Sequence, residues 1–150
     1  PWTDDAVFRP GPMMSIGRSW CAAISAGGRV IVFGSGVAEG MTEVLDTRTM
    51  AFTAGPDMLT GRGGCAAVQV DADRVLVVGG TDDDGAFLNT TEIVNLSTLT
   101  FTPGPDMQST RRYCAAVKLD SRRILVIGGD SGGSFLSTTE IISMDTMAFA

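Results

Sequence analysis

A repeated segment constrains the fold of this chain more than any other feature. The stretch from Met58 to Phe101 recurs from Met107 to Phe149, and a looser copy precedes both. Each copy carries the sequence Arg-x-x-Cys-Ala-Ala followed by Val or Ile, at residues 18–24, 62–68 and 111–117. A period of about 40–50 residues is typical of propellers and solenoids, in which each repeat is one supersecondary unit.

Each repeat divides into four short strand signals, which predicts an all-β chain. The first strand is expected at 21–26, 65–71 and 114–120, and the second at 30–34, 75–80 and 124–129. The third is expected at 42–46, 90–96 and 138–144, and the fourth surrounds Phe52, Phe101 and Phe149. Runs rich in Val, Ile and Thr between Gly, Asp and Pro predict strands, and no stretch has a sustained helical period.

The spacing of the repeats sets the expected boundaries. From Phe52 to Cys65, and again from Phe101 to the next repeat's cysteine, the interval is 13 residues. The same interval counted back from Cys21 ends at Phe8. We therefore expect one propeller segment, in which residues 1–13 are the last strand of a preceding unit and the units span 14–58, 59–107 and 108–150.

A four-stranded unit with two apolar faces is not stable alone, so the units are expected to stack face to face. Four strands per unit favour a propeller blade. The paired alanines that follow each cysteine suit the crowded innermost strand, and the phenylalanine of the fourth strand is expected to cap the core between blades. Phe87 and Phe135, late in the loops between second and third strands, are expected to fold back as local core.

These residues resemble the kelch-repeat β-propeller family over nearly the whole chain. The family pattern is an Arg before the first strand, a Gly-Gly pair closing the second, an acidic or aromatic residue in the third and an aromatic residue in the fourth. The matching positions outside the arginines are Gly34, Gly79, Gly80, Gly128, Gly129, Glu43, Glu92, Glu140, Phe52, Phe101 and Phe149. Two departures are Phe in place of the family's Trp and Ser35 in place of the second glycine of the first pair.

Three blades do not close a propeller, because closed rings have about 4–8 blades. Further blades of the same protein, or a second copy of the chain, are needed to complete the ring. We expect a longer parent protein, with pairing of two copies as the alternative.

The candidate partner-binding residues lie where the fourth strand of one blade leads into the first strand of the next, at the predicted channel mouth. Repeated arginines there would form a basic ring for acidic groups of a partner, or would each pair with Glu43, Glu92 or Glu140 and hold the blades together. The residues after them vary, and Trp and Tyr with Arg are typical of binding hot spots. The predicted contact set is Arg18, Trp20, Arg62, Arg111, Arg112 and Tyr113.

Composition narrows the function classes. A net charge of −6 argues against a nucleic-acid partner, and no apolar run reaches the roughly 18–20 residues of a membrane span. The chain has no histidine and three cysteines at equivalent positions, which are predicted to be small buried side chains without a disulfide and weakly favour the reducing cytoplasm.

The sequence therefore predicts a non-enzymatic scaffold for a protein partner, without cofactor or metal. A structural spacer inside a larger assembly is the alternative. Some kelch-type propellers resemble copper radical oxidases, but that resemblance implies His and Tyr ligands. This chain offers no His and only Tyr113.

Overall fold

A computed structural model describes residues 8–35 and 40–149 of the chain. Within these ranges the chain forms twelve strands and no helix, so no helix there could cross a membrane. The strands make three four-stranded antiparallel sheets, each in sequential order, which confirms the all-β prediction. Blade 1 contains β1 (Ala22–Ala26), β2 (Arg29–Phe33), β3 (Glu43–Asp46) and β4 (Ala51–Ala54).

Blades 2 and 3 repeat this plan. Blade 2 contains β5 (Ala66–Gln69), β6 (Arg74–Val78), β7 (Thr91–Asn95) and β8 (Thr100–Pro103). Blade 3 contains β9 (Ala115–Lys118), β10 (Arg123–Ile127), β11 (Thr139–Ser143) and β12 (Ala148–Phe149). The registers Ala22↔Phe33, Ala66↔Val78 and Ala115↔Ile127 align the three sheets residue by residue.

The first strands of the blades lie side by side. Strand β5 contacts both β1 and β9, and these are the main contacts between strands of different sheets. The alanine-rich strands are therefore the innermost ones, as predicted. Small side chains permit this close approach.

Strand β6 shows how blades stack. Its core residues are fully buried and alternate between two cores, because successive side chains of a strand point to opposite faces. Val75 and Val77 pack with Ile31 and Phe33 of blade 1. Leu76 and Val78 pack with blade 3. We call the face of a blade toward the next blade its forward face and the opposite face its backward face.

The phenylalanines of the fourth strands complete these cores. Phe101 packs against the core between blades 1 and 2, with its ring centroid 6.3 Å from that of Phe33 in an edge-to-face arrangement. Phe149 joins the core between blades 2 and 3. Met58 and Met107, from the linkers between blades, are buried in the same two cores. This confirms the predicted capping role of Phe101 and Phe149.

The ends of the array differ from the expectations for a complete one. Residues 8–13 form no strand, and Phe8 is fully exposed. Residues 1–7 lie outside the described part of the chain. The assignment of residues 1–13 to a preceding blade therefore stays a prediction. Phe87 is half-buried as expected, but Phe135 is almost fully exposed, and the expectation for it was wrong. The physical reason is that Phe87 is covered by Arg112 of blade 3, whereas no further blade follows blade 3 within residues 8–35 and 40–149.

Candidate functional site at the channel mouth

The repeated arginine of each blade lies at the end of the array where the linkers between blades run. Arg62 is buried and donates from Nη1 to the carbonyl oxygens of Gly79 and Thr90, at 2.9 and 3.0 Å. Its Nη2 donates to Thr90 Oγ1 at 3.3 Å and to Glu92 Oε1 at 2.7 Å. The guanidinium thus joins the end of β6 to the start of β7.

The glutamate of each pair also holds the incoming linker. Glu92 accepts hydrogen bonds from the backbone N–H groups of Leu59 and Thr60, at 2.8 and 2.9 Å. Glu140 makes the same contacts with Gln108 and Ser109. We call this arrangement of arginine, glutamate and linker the clamp. It fastens each linker to the blade that follows.

The clamps of blades 1 and 3 use the same partners with small differences. Arg111 Nε donates to Glu140 Oε1 at 3.1 Å, and its Nη2 donates to Thr138 Oγ1 at 2.9 Å. Arg18 Nε donates to Glu43 Oε2 at 3.1 Å. All three arginine side chains are buried against their glutamates. The geometry therefore favours the structural interpretation of these arginines.

Blade 1 lacks one hydrogen bond of the clamp. Met41 occupies the position of Thr90 and Thr138, so no hydroxyl lies there. Among the described residues, the buried Nη2 of Arg18 has no hydrogen-bond partner. A buried donor left unsatisfied costs about 1–3 kcal/mol. Met41 is therefore a weak point of the first blade.

Burial and hydrogen bonding oppose each other in setting pKa values near the clamps. Burial tends to raise the pKa of Glu43, but hydrogen bonds from Ser15 and Arg18 outweigh it and leave that pKa below its usual value. Burial raises the pKa of the Cys65 thiol to about 12, and it raises that of Cys114 as well. These two thiols are protonated at neutral pH and are poor nucleophiles. Cys65 is buried as predicted, whereas Cys21 is exposed and all three cysteines are free.

Glycines allow the next linker to approach each clamp. Gly79 has a φ of +62°, and a Cβ placed there would collide with the carbonyl oxygen of Arg111. Gly80 has a φ of +104°, and its N–H donates to the same carbonyl oxygen at 2.8 Å. Side chains are strained in this backbone region. In blade 2, glycine is therefore required at these two positions both for the backbone conformation and for the space that the next linker needs.

The residue before each cysteine belongs to a chain of backbone hydrogen bonds across the three blades. The N–H of Gly64 donates to the carbonyl oxygen of Trp20 at 2.8 Å, and the N–H of Tyr113 donates to that of Gly64 at 2.7 Å. All three residues have positive φ values, of 56°, 67° and 56°. Because the innermost strands begin here, this chain of bonds lies at the end of the array where the channel mouth is predicted.

Aromatic side chains from this position form an exposed patch. The rings of Trp20 and Tyr113 meet edge to face, with centroids 6.0 Å apart, on either side of the glycine between them. Trp20 is 62% exposed and Tyr113 is 48% exposed. The Arg112 guanidinium lies 5.0 Å from the centroid of the Tyr113 ring and 4.5 Å from that of Phe87. We call these four residues the mouth patch.

The guanidinium of Arg112 forms an ion pair with Asp130. Its Nε and Nη2 donate to Asp130 Oδ2, at 3.0 and 2.8 Å. Hydrogen bonds from the Gly132 backbone and from Arg112 hold the pKa of Asp130 below its usual value, so the carboxylate stays ionised. The mouth patch is therefore aromatic in character, with a neutralised ion pair at its side.

The six predicted contact residues fall into two groups. The side chains of the clamp arginines are buried, whereas Trp20, Tyr113 and Arg112 are exposed or half-buried. Two members of the arrangement were not predicted for it, Phe87 and Asp130. An alignment of the loops between the second and third strands could have indicated them, since Phe87 aligns with Phe135 and Asp130 aligns with Thr81. Within the described residues, no group of acidic and cysteine side chains is arranged to hold a metal ion.

Comparison with known proteins agrees with this geometry. The sequence profile of the Kelch motif matches residues 62–108, which begin at the clamp arginine of blade 2 and end in the linker to blade 3. No curated protein sequence matches the chain. Blades 1 and 3 share the strand order, register and clamp of the matched blade. The Kelch motif at residues 62–108 and the three four-stranded antiparallel sheets fit a fragment of a kelch-repeat β-propeller.

Proposed function

We propose that this chain is a protein-interaction scaffold that contacts its partner through Trp20, Arg112 and Tyr113 of the mouth patch. Kelch repeats commonly serve as interaction scaffolds. The clamp arginines are left out of this proposed surface, because their side chains are buried and engaged by glutamates. They position the linkers that carry the exposed residues.

The observation that carries the proposal is the backbone conformation of Trp20 and Tyr113. A positive φ is a genuine outlier for bulky residues and costs of order 1–3 kcal/mol. Gly64 occupies the equivalent position of blade 2 in the same conformation without that cost. Trp20 and Tyr113 therefore occupy a position that the glycine of blade 2 fills at a lower conformational cost. Large aromatic side chains held there and left in solvent indicate a use for their surface.

The chemistry of the patch favours an apolar or aromatic segment of a partner. Tyr and Trp supply large rigid contact area at a low cost in side-chain entropy, and the rings already approach each other edge to face. A carboxylate ligand is less suited, since Asp130 occupies the fork of Arg112. We expect a short extended segment with one anchoring aromatic or branched aliphatic side chain.

A displayed library of random peptides selected against the chain tests this proposal. The best peptide, labelled with fluorescein, is expected to bind with a Kd at or below the micromolar range by fluorescence polarisation. The variant Trp20→Gly with Tyr113→Gly is expected to weaken binding at least about 10-fold, because an aromatic anchor contributes upward of 1 kcal/mol.

Met50→Gly is the matched control. Met50 is 53% exposed and has a φ of +56°, but it lies in the β3–β4 turn at the opposite end of the blade. It is expected to leave the Kd unchanged. If no peptide is selected, or if the double variant binds as the wild type does, the proposal is wrong.

The same variants separate a binding role from a spacer role. Glycine relieves the strained backbone at both positions, so the melting temperature of the double variant is expected to fall by no more than a few degrees. A large fall in melting temperature with unchanged peptide binding would instead favour the structural spacer. In that case the edge-to-face contact of the two rings would serve to hold the blades.

A further inference from the structure

Blades 2 and 3 share a backbone bridge near the mouth, and blade 3 adds an ion pair to it. In blade 2 the bridge joins Gly63 to Thr81, with N–O distances of 2.9 and 2.8 Å. In blade 3 it joins Arg112 to Asp130 with the same two distances. Gly63 has no side chain, and the buried Oγ1 of Thr81 has no hydrogen-bond partner among the described residues. The bridge therefore forms without side-chain contacts and does not require the Arg112–Asp130 pair.

The carboxylate of Asp130 is held at both of its oxygens. Its Oδ1 accepts a hydrogen bond from the backbone N–H of Gly132 at 2.9 Å, and its Oδ2 accepts from Nε and Nη2 of Arg112. The side chain of Asp130 is 15% exposed and that of Arg112 is 31% exposed. Hydrogen bonds in which both groups are charged are shorter and stronger than neutral ones. Asp130 therefore fixes the direction in which the guanidinium points.

The position of this guanidinium decides what the mouth patch offers to a partner. It lies 4.5 Å from the ring centroid of Phe87 and 5.0 Å from that of Tyr113. A cleft of about 410 Å³ beside it is lined by Phe87, Arg112, Asp130 and residues 132–135. A side chain of a bound segment can therefore reach the ion pair while its neighbours contact the exposed rings.

An acidic side chain would meet an unfavourable environment in this cleft. An arginine fork binds a carboxylate through two parallel hydrogen bonds, but Asp130 already occupies Nε and Nη2 of Arg112. A second carboxylate would also lie close to that of Asp130, and like charges placed together disfavour binding. The clamp arginines do not compensate, because their side chains are buried against glutamates.

We propose that Asp130 is a specificity-determining residue of the mouth patch, which holds Arg112 beside the two rings and excludes acidic segments of a partner. The segment that the patch selects then has no carboxylate next to its anchoring side chain. This inference rests on the proposed function, since it names the class of segment that the same surface accepts. Asp130 acts through Arg112 and is in this sense a positioning residue.

Removing the charge of Asp130 tests the proposal. Asp130→Asn keeps an oxygen for the Gly132 N–H but frees the arginine fork. In the peptide selected against the wild type, each residue beside the anchor is replaced in turn by Gln and by Glu. At one of these positions the Glu peptide is expected to bind Asp130→Asn about 10-fold more tightly than it binds the wild type, because hydrogen bonds to a charged group contribute about that much. The Gln peptides are expected to bind both forms alike.

Two controls show whether the gain comes from the arginine fork. Asp71→Asn changes the net charge of −6 by the same single unit and breaks the ion pair with Arg74, but it lies at the opposite end of blade 2. It is expected to leave the affinity for the Glu peptides unchanged. Arg112→Gln combined with Asp130→Asn is expected to abolish the gain. Asp130→Thr places the blade 2 residue in blade 3, and is expected to act as Asp130→Asn does if the latter folds poorly.

A titration with acetate separates this inference from the proposed function, because it needs no peptide. The Nε–H signal of Arg112 in the NMR spectrum of the isotope-labelled chain is identified by its loss in Arg112→Gln. Acetate at constant ionic strength is expected to shift this signal in Asp130→Asn but not in the wild type or Asp71→Asn. Failure to select any peptide refutes the proposed function. Equal affinities of the wild type and Asp130→Asn for every Glu peptide, or equal responses of the two to acetate, refute the role of Asp130 alone.

Discussion

Replacing Arg62 by alanine is expected to destabilise the chain strongly, because its side chain is buried and engaged in the clamp. The substitution removes four hydrogen bonds, to Gly79, Thr90 and Glu92, and leaves the glutamate without its counter-charge. Breaking a buried ion pair by removing one partner costs about 3–5 kcal/mol. Because Glu92 keeps the N–H donors of the linker, we expect the lower end, about 3 kcal/mol.

That loss corresponds to a measurable fall in melting temperature. For a chain of this size, 1 kcal/mol shifts the melting temperature by about 2–4 °C, so the expected fall is about 6–12 °C. Thermal unfolding followed by circular dichroism measures it. Arg62→Lys keeps the charge but not the planar fork, and is expected to lie between the wild type and the alanine variant.

Arg74→Ala is the matched control in the same blade. Its ion pair with Asp71 has an N–O distance of 2.6 Å, but both side chains are about two-fifths exposed. Such exposed pairs contribute about 0–1 kcal/mol, so the melting temperature should change little. If Arg62→Ala shifts the melting temperature no more than Arg74→Ala does, the clamp does not stabilise the blade and the reasoning is refuted.

Three further outcomes follow from the clamps. Met41→Thr should raise the melting temperature by a few degrees in a thermal scan, because the threonine hydroxyl supplies the hydrogen-bond acceptor that the clamp of blade 1 lacks. Such a hydrogen bond contributes about 0.5–1.5 kcal/mol. A melting temperature below that of the wild type would contradict this. Gly79→Ala should destabilise the chain more in urea unfolding than Gly128→Ala, because a linker carbonyl crowds only the former; equal losses would leave only the shared positive φ as the cause. Acidification below about pH 4.3, which is the ordinary pKa of Glu, should lower the stability of the chain. The pKa of Glu43 is lowered in the folded chain. The unfolded chain therefore takes up the proton first as the pH falls, and this favours unfolding. Ser15→Ala removes part of that lowering, so its stability should fall less between neutral and acid pH, and an identical pH dependence would count against the assignment.

The mouth patch could be predicted from the sequence only in part. The variable residues Trp20, Arg112 and Tyr113 stood out because they interrupt an otherwise regular repeat. The contact between Trp20 and Tyr113 could not be predicted, because it depends on the space that the missing side chain of Gly64 leaves between them. The pairing of Arg112 with Asp130 also escaped prediction, because it joins the start of one strand to a loop whose length varies among the blades.

The sequence alone determined the number of units, the four strands in each and the position of the innermost one. These are properties of local pattern, since alternation, turn residues and repeat spacing act within about 50 residues. It also left two roles open for each repeated arginine. Only the tertiary structure decided between burial and exposure, because Arg62 and Glu92 are 30 residues apart in the chain and meet through the folding of one sheet. The stacking of the sheets likewise decided that Phe87 is covered and Phe135 is not, because a side chain is covered only where another blade lies beside it.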